Sequence, residues 1–478
     1  MPELVLDGVH RLPSTGISIL IVGAGCGGLM LVMEAWRQDH DVQVLERSDG
    51  LSPIGDSFGI LPPALATLRF FPTFHKDYES ASDDVLMYFY SHDGQKVLEA
   101  GEAPWNEPGA VHPAQDVRVT WLVRRYKSLA AMEAQVRRLG IALHYGKNVL
   151  EYDEDRTKGF VTTSAGDRYS ADLIVAADGV GTKSHKHITG DAPLPSSSGY
   201  AVYRAVIPIE RLHNISQTAK DKMFCEPRPE FRLYLGPDMH MNLLISPDSI
   251  IYIITHEDSG SSEEAWRSTV SGNSVLETLD TVPGWDPVVK EVIAQTPNDS
   301  VIDWKLLWRN PQSQWCSEGG LVLQLGDSAH TFLPTSGAGA LQAMEDALSL
   351  ATCLRLGGKE NIVQSVKAHV LMGFERVSIL QRFGFANRQL LHKLDPFRLL
   401  SQPELMEMKH GRWIWTHDPV QYSKENYHMA VKAVTEGSTF ENTNIPTGFK
   451  YTPWTIEEEL DREKRGLKSQ LRETGDWS

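Results

Sequence analysis

The stretch Ile17-Ser-Ile-Leu-Ile-Val22 runs straight into Gly23-Ala-Gly25-Cys-Gly-Gly28 and then into Leu29-Met-Leu-Val-Met-Glu-Ala-Trp-Arg37. The first six residues are β-rich and almost wholly apolar, a run of strand length suited to a parallel sheet covered on both faces. Residues 29–37 read as a helix, and Asp41-Val-Gln-Val-Leu-Glu46 reads as a second strand that ends on an acid. Strand, glycine turn, helix and strand in that order open a dinucleotide-binding unit. Each glycine has its own reason. Gly23 permits the tight turn, Gly25 lets a pyrophosphate approach the backbone, and Gly28 lets the helix pack on the strand. The free N–H groups and the positive end of the helix then hold the phosphates. Glu46 lies eighteen residues beyond Gly28, placed to accept hydrogen bonds from an adenosine ribose. Arg47 beside it suits a 2′-phosphate, but an acid at the strand end favours a free ribose, hence NAD or FAD over NADP.

The rest of the composition sets bounds around that unit. A chain of 478 residues and 53.4 kDa exceeds any single small module. Apolar residues at 41% and charged residues at 23% exclude general disorder. The balance of 46 Lys+Arg against 62 Asp+Glu gives −16, with no basic run, so nucleic acid and anionic lipid are poor partners. Cys26, Cys225, Cys316 and Cys353 are too widely spaced for a disulfide framework or a CxxC metal pattern, which fits a reducing compartment and no metal. The opening Met-Pro-Glu-Leu-Val-Leu-Asp lacks a basic segment followed by an apolar core, so no signal peptide is read and a cytoplasmic location is expected. The apolar run from Ile17 to Trp36 approaches membrane length, but its glycines and Glu34 belong to the turn and helix above, and no membrane span is expected. The sequons at Asn214 and Asn298 are idle in that setting.

Downstream, a helical rhythm covers Arg125 to Leu139, and strands are expected at Ile141–Leu150, Phe160–Thr163 and Tyr169–Ala177. Strand-like runs then crowd together at Tyr200–Ile207, Phe231–Leu235, Met241–Ile245 and Ile250–Thr255, the pattern of an antiparallel sheet inserted in an α/β domain. Leu321 to Leu325 is again an apolar strand. Long helices are expected from Gly339 through Leu356 and from Lys367 to Leu394, and Thr455-Ile-Glu-Glu458 reads as a capping box opening a charged, solvated helix.

Three motifs now stand in order: the glycine turn at 23–28, Asp172-Leu-Ile-Val-Ala-Ala-Asp178-Gly179, and Gly326-Asp327 followed by Ser-Ala-His330. With them the chain resembles the class A, single-component FAD-dependent monooxygenases. That group contains the para-hydroxybenzoate and salicylate hydroxylases and many fungal secondary-metabolite oxygenases. The resemblance spans roughly residues 15 to 395. It implies an α/β fold: a Rossmann-like FAD-binding domain with an inserted antiparallel β-sheet substrate domain and C-terminal helices. The boundaries expected are 15–190 and 316–395 for the two parts of the FAD domain, 191–315 for the insert and 396–478 for a helical and extended tail.

The resemblance also implies roles residue by residue. Glu46 matches the ribose-binding acid, and Gly59, in Ser57-Phe-Gly-Ile-Leu-Pro-Pro63, a glycine near the flavin. Arg125 stands where the family has an FAD-contacting arginine, with Arg124 as the competing register. Asp178 belongs to the Asp-Gly motif, and Asp327 matches the acid that binds the ribityl chain. Pro334, Gly337, Gly339 and Ala340 match the loop beside the isoalloxazine, where a helix N-terminus stabilises the reduced, anionic ring. The chain departs from the pattern at Thr182 and His185 after Asp-Gly, at Leu341 where an Asn is common, and at Asp56, usually a small uncharged residue. With no second glycine-rich turn, NADPH or NADH is expected as a transient co-substrate without a domain of its own.

The activity implied is oxygenation through a flavin C4a-hydroperoxide formed with O₂, delivered to a small aromatic or polycyclic metabolite. Epoxidation of an isoprenoid alkene, with a terpenoid substrate, is the rival within the class, and a flavin-binding protein without oxygenase activity the rival outside it. A base or cation near a phenolic oxygen helps such chemistry. In the insert the candidates are Tyr203, Arg204, Arg232, Tyr234 and His240. Arg204 interrupts an apolar strand and suits a carboxylate or phenolate, or else a structural ion pair. His240 is either catalytic or simply hydrogen-bonded. Trp304, Trp308 and Trp315 either line a pocket or fill the core. The assembly expected is a monomer or homodimer.

Overall fold

The computed structural model describes residues 4–51, 57–99, 102–115, 117–120, 122–191, 195–225, 228–258, 269–402 and 411–477. Asp56 lies outside the described residues. A five-stranded parallel sheet forms the first layer, in the order Leu143–His144, Asp41–Leu45, Ser18–Val22, Leu173–Ala176, Val322–Gln324. Strands from three distant parts of the chain share it: Ser18–Val22, Leu173–Ala176 and Val322–Gln324 are almost wholly buried on both faces, whereas Asp41–Leu45 and Leu143–His144 lie toward a more exposed edge. The helix Cys26–Arg37 covers one face together with Gly339–Gly357, and its residues from Gly27 to Arg37 are all buried. A three-stranded antiparallel sheet, Val149–Glu154, Gly159–Thr163 and Arg168–Ala171, packs against the other face.

The second layer is an eight-stranded sheet in the order Thr269–Val270, Val301–Trp308, Ser196–Pro208, Ser249–Glu257, Met239–Ile245, Glu230–Gly236, Leu86–Ser91, Lys96–Glu99. It is antiparallel except where Glu230–Gly236 runs parallel to Leu86–Ser91. Two of its strands therefore come from residues 86–99, ahead of the 191–315 segment. Its outer face carries an apolar core closed by the helices Gln217–Met223, Gly272–Asp280 and Pro287–Ile293. Its inner face turns toward the first layer, where Leu122 and Leu333 pack on it.

The helices Gly339–Gly357, Ile362–Lys393 and Pro419–Glu436 pack together and run down the side of both layers. The capping box at Thr455 forms and opens the helix Ile456–Lys464. That helix is docked, not solvated on all sides. Glu459 is buried on Arg382, Glu463 meets Arg388, and Glu457 accepts from Asn310 at 3.0 Å. No helix among the described residues is long and apolar enough to cross a membrane.

Candidate active site

The three glycines of the first turn differ in what surrounds them. Gly23 has φ +107°, and a Cβ there would overlap the Ala177 carbonyl oxygen. At Gly28 a Cβ would overlap the carbonyl oxygen of Gly23, so the close crossing of helix and strand needs its hydrogen. Around Gly25 a Cβ would meet nothing within 4 Å. The first glycine is demanded by conformation and the last by packing, whereas the middle one faces open space. That is the arrangement a pyrophosphate needs.

Glu46 is fixed at the end of the second strand. One carboxylate oxygen accepts the Ala24 N–H at 2.8 Å, and the other accepts the Ser48 N–H at 2.9 Å and its hydroxyl at 2.8 Å. Three donors leave lone pairs for ribose hydroxyls while fixing the carboxylate toward the turn. Of the two arginines at the head of the next helix, Arg124 is consumed: it is buried, with Asp248 at 2.5 and 2.9 Å and Asp83 at 3.2 Å. Arg125, the first residue of the helix Arg125–Arg138, is half-buried. Its charge and that of Asp327 both act on the Cys26 thiol, which burial pushes up to about 11. These two carried-over residues therefore converge on the helix that follows the glycine turn. Gly59 joins the same end of the site, since Ser57–Gly59 pairs with Leu122–Arg124 and sets Gly59 opposite Leu122.

Asp178 and Asp327 divide the work between two turns. Asp178 is held within the structure: Tyr152 donates to it at 2.8 Å and Ser328 at 3.1 Å, while Ser328 Oγ accepts the Gly179 N–H at 2.8 Å. Burial raises its pKa against the pull of those hydroxyls and that of Thr182. Its visible role is to lace the Asp-Gly turn to the Gly-Asp turn. Asp327 is exposed in a stretch that is otherwise buried from Leu321 to His330, so the turn presents this one carboxylate at the surface. Of the departures from the family pattern, Thr182, His185 and Leu341 are all buried. Burial and the Arg309 charge lower His185 to about 4.

The loop that the resemblance sets beside the flavin ring, the ring-side loop, is built with equal economy. Gly337 adopts the left-handed conformation at φ 61°, and the helix Gly339–Gly357 begins with no side chain capping its first turn. Pro334 is exposed, and Gly337, Gly339 and Ala340 are half-buried. The loop hangs on the long helix Ile362–Lys393. Thr335 donates to the Gly384 carbonyl at 2.7 Å, Asn387 to the Thr335 carbonyl at 3.0 Å, and Gln381 to the Thr331 carbonyl at 2.8 Å. Uncapped N–H groups, the open side of Gly25, the fixed Glu46 and the presented Asp327 together suit FAD: ribose, pyrophosphate, ribityl chain and ring edge each have a matching donor or acceptor.

Strand alternation sorts the insert candidates into two sets. Tyr203 stacks on His256 at 3.9 Å and belongs with the outer-face core, as does Tyr234. Arg232 is buried beside them and donates to Glu230 at 2.6 Å. Arg204 lies on the opposite face from Tyr203. It is buried, with its guanidinium 4.6 Å from the centre of the Trp304 ring. His240 is also buried on the inner face but is engaged, with Nδ1 2.9 Å from His392 Nε2 and Nε2 3.3 Å from Thr255 Oγ1. On the inner face Trp304, one of the aromatic pocket candidates, is joined by Tyr200, Asn242 and Ile253 in a half-open patch, all four being only partly buried. Its signal lay in the even-numbered positions of Tyr200–Ile207, which point one way. Trp308 stacks on Phe385 at 4.1 Å, and Trp315 packs against His330, so both are core.

Residues 16–361 match the FAD binding domain family. The chain is 35% identical over 477 residues to the FAD-dependent monooxygenase fsr3 of Gibberella fujikuroi, covering 98% of this chain and 91% of that protein. It is 36% identical over 480 residues to the FAD-dependent monooxygenase dmxR9 of Cryptosporiopsis, covering 99% and 92%. Among solved structures, FqzB superimposes with a TM-score of 0.80 over 92% of this chain and 99% of that one, at 24% identity.

Proposed function

The chain belongs to the FAD-binding family of FAD-dependent monooxygenases, and from that premise we propose that it hydroxylates a small aromatic or polycyclic secondary metabolite with NAD(P)H as electron donor. Bound FAD supplies the redox chemistry, taking electrons from the nicotinamide and passing one oxygen atom of O₂ to the substrate. The protein's task is to place the substrate and keep water out.

One observation carries the reading of the substrate. Asn242, Ile253 and Trp304 of the half-open patch flank the buried Arg204, with Tyr200 farther along the same strand, on the face against which Leu333 of the ring-side loop packs. Flat apolar and aromatic side chains suit a planar ring system. A buried guanidinium favours the deprotonated form of a phenol, which makes the ring carbons more nucleophilic. Arg204 accordingly binds and polarises the substrate oxygen, and Asn242 offers a second polar contact.

Consumption of NADPH and NADH with and without a panel of hydroxylated polycyclic aromatics tests this, with products followed by mass spectrometry. The expected result is substrate-stimulated oxidation and a product heavier by one oxygen, with the new hydroxyl on an aromatic carbon. A yellow protein that neither nicotinamide reduces, or a product carrying an epoxide on an alkene, overturns it.

A further inference from the structure

Buried polar groups are nearly always paired, so one that is not needs an explanation. Arg388, on the long helix Ile362–Lys393, is such a group. Its side chain is 2% exposed, it pairs with Glu463 through one terminal nitrogen, and its Nε and other terminal nitrogen have no hydrogen-bond partner among the described residues. The guanidinium lies 4.4 Å from the centre of the Tyr200 ring and 5.4 Å from that of Phe385. Its neighbour Asn387 holds the Thr335 carbonyl, and Gly384, one turn earlier, accepts the Thr335 hydroxyl and would crowd Leu333 and Ser336 if it carried a Cβ. Arg388 therefore sits at the seam between the ring-side loop and the inner face of the large sheet.

We infer that Arg388 is a specificity-determining residue that binds a carboxylate or second phenolate of the substrate. The unpaired Nε–H and terminal N–H groups point to different sides of the desolvated guanidinium, so each can give an oxyanion one charge-assisted hydrogen bond, with the Tyr200 and Phe385 rings lying close by. Glu463 faces solvent more than Arg388 does, at 20% against 2% exposure, and serves as the internal anion that keeps the cation tolerable until substrate arrives. Tyr200 and Arg204 are four residues apart on one strand, about 13 Å at ~3.3 Å per residue. Val202 lies between them on the same face, buried against Leu333 and Phe385, so Arg388 recognises an oxyanion at the Tyr200 end of this face. This deepens the aromatic-hydroxylation reading and rests on it.

The experiment titrates the FAD-loaded protein with anthraquinone-2-carboxylate and with its methyl ester, following the visible spectrum of the bound flavin. Wild type is expected to bind the carboxylate at least about 30-fold more tightly than the ester, the scale of a buried charge-assisted pair. Arg388→Met should reduce that preference to within about 3-fold, and Arg388→Lys should restore part of it. Glu463→Gln, which leaves Arg388 in place, should tighten the carboxylate and not the ester. Equal affinities in wild type, no response to either compound, or a preference that survives in Arg388→Met overturns the assignment, and an unchanged carboxylate affinity in Glu463→Gln does so even where Arg388→Met fails to fold. Bleaching by NADPH, measured in the same samples, separately tests the oxygenase reading: reducible flavin without anion preference sinks only the role of Arg388.

Discussion

A single oxygen of Asp346 accepts the Gly326 N–H at 3.0 Å and lies 2.7 Å from His330 Nε2, all three groups being buried. Burial pushes this carboxyl upward, but the His330 charge and hydrogen bond outweigh it and hold the pKa below the usual carboxylate range. The contact fixes the left-handed Gly326 and with it the turn that presents Asp327. Two substitutions separate presentation from contact. Asp327→Ala alters an exposed side chain and should give a colourless protein whose Tm matches that of wild type stripped of its flavin. Asp346→Ala strands two buried polar partners at about 1–3 kcal/mol each, so it should lower Tm and FAD content together. Full flavin occupancy in Asp346→Ala would show that the turn holds its shape without this contact.

The glycine turn offers a sharper pair. Gly25→Val adds a side chain into open space at φ −79°, a conformation any residue adopts, so the fold should survive while the pyrophosphate is excluded. Gly28→Ala drives a methyl into the Gly23 carbonyl and should yield little soluble protein. Circular dichroism and the flavin absorbance of the purified proteins decide it. A yellow Gly25→Val would remove the phosphate role from that residue.

What the sequence made legible was local. The glycine turn, its flanking strands and the helix from Gly339 depend on neighbours within a few residues, and each stands within a residue or two of expectation. Tyr169–Ala177 looked like one strand but is two. Asp172 breaks it, held at 2.8 and 2.9 Å by the backbone N–H and hydroxyl of Ser18, and the halves join different sheets. Nothing in a linear pattern marks that pairing across 154 residues. The same distance effect hid Leu86–Ser91, which finds its place only beside Glu230–Gly236. In the tail the capping box was visible because Thr455 and Glu458 are three residues apart, whereas the arginines that bury Glu459 and meet Glu463 lie more than seventy residues upstream.

Four buried histidines make stability depend on pH. Burial, which penalises the charged ring, lowers His40, His185, His369 and His392 each to about 4. In the unfolded chain the same rings take up a proton near pH ~6.5. Between those values the unfolded state binds protons that the folded state refuses, so stability falls as pH drops from 6.5 toward 4, by about 1.4 kcal/mol per histidine per pH unit. The depressed Asp346 adds its loss only at the acid end of that range. Thermal unfolding should therefore be nearly flat from pH 8 to 7 and decline steadily from 6.5 to 5. His369→Gln should flatten part of the decline, and a Tm unchanged between pH 7 and 5 would contradict the assignment.

The tail helix is held by a buried ion pair, and buried ion pairs have an asymmetric energy. Arg382 reaches one Glu459 oxygen from Nε at 2.7 Å and from a terminal nitrogen at 2.6 Å, with Glu459 almost fully buried. Gathering the two charges from water costs roughly what their attraction returns, whereas removing one leaves the other stranded at about 3–5 kcal/mol. Glu459→Ala should therefore destabilise strongly, raising hydrogen exchange in residues 451–465 before the rest of the chain opens. Trp454 and Ile456 pack with Leu333 and Val202, so that loosening should reach the ring-side loop and raise substrate KM more than it lowers kcat. The double variant Arg382→Met with Glu459→Leu fills the same space with apolar groups and should recover most of the Tm. If the double variant is instead as unstable as Glu459→Ala, apolar packing does not replace the pair and the tail is held by its charges, whereas a loss equal to the sum of the two single variants would show no coupling between Arg382 and Glu459.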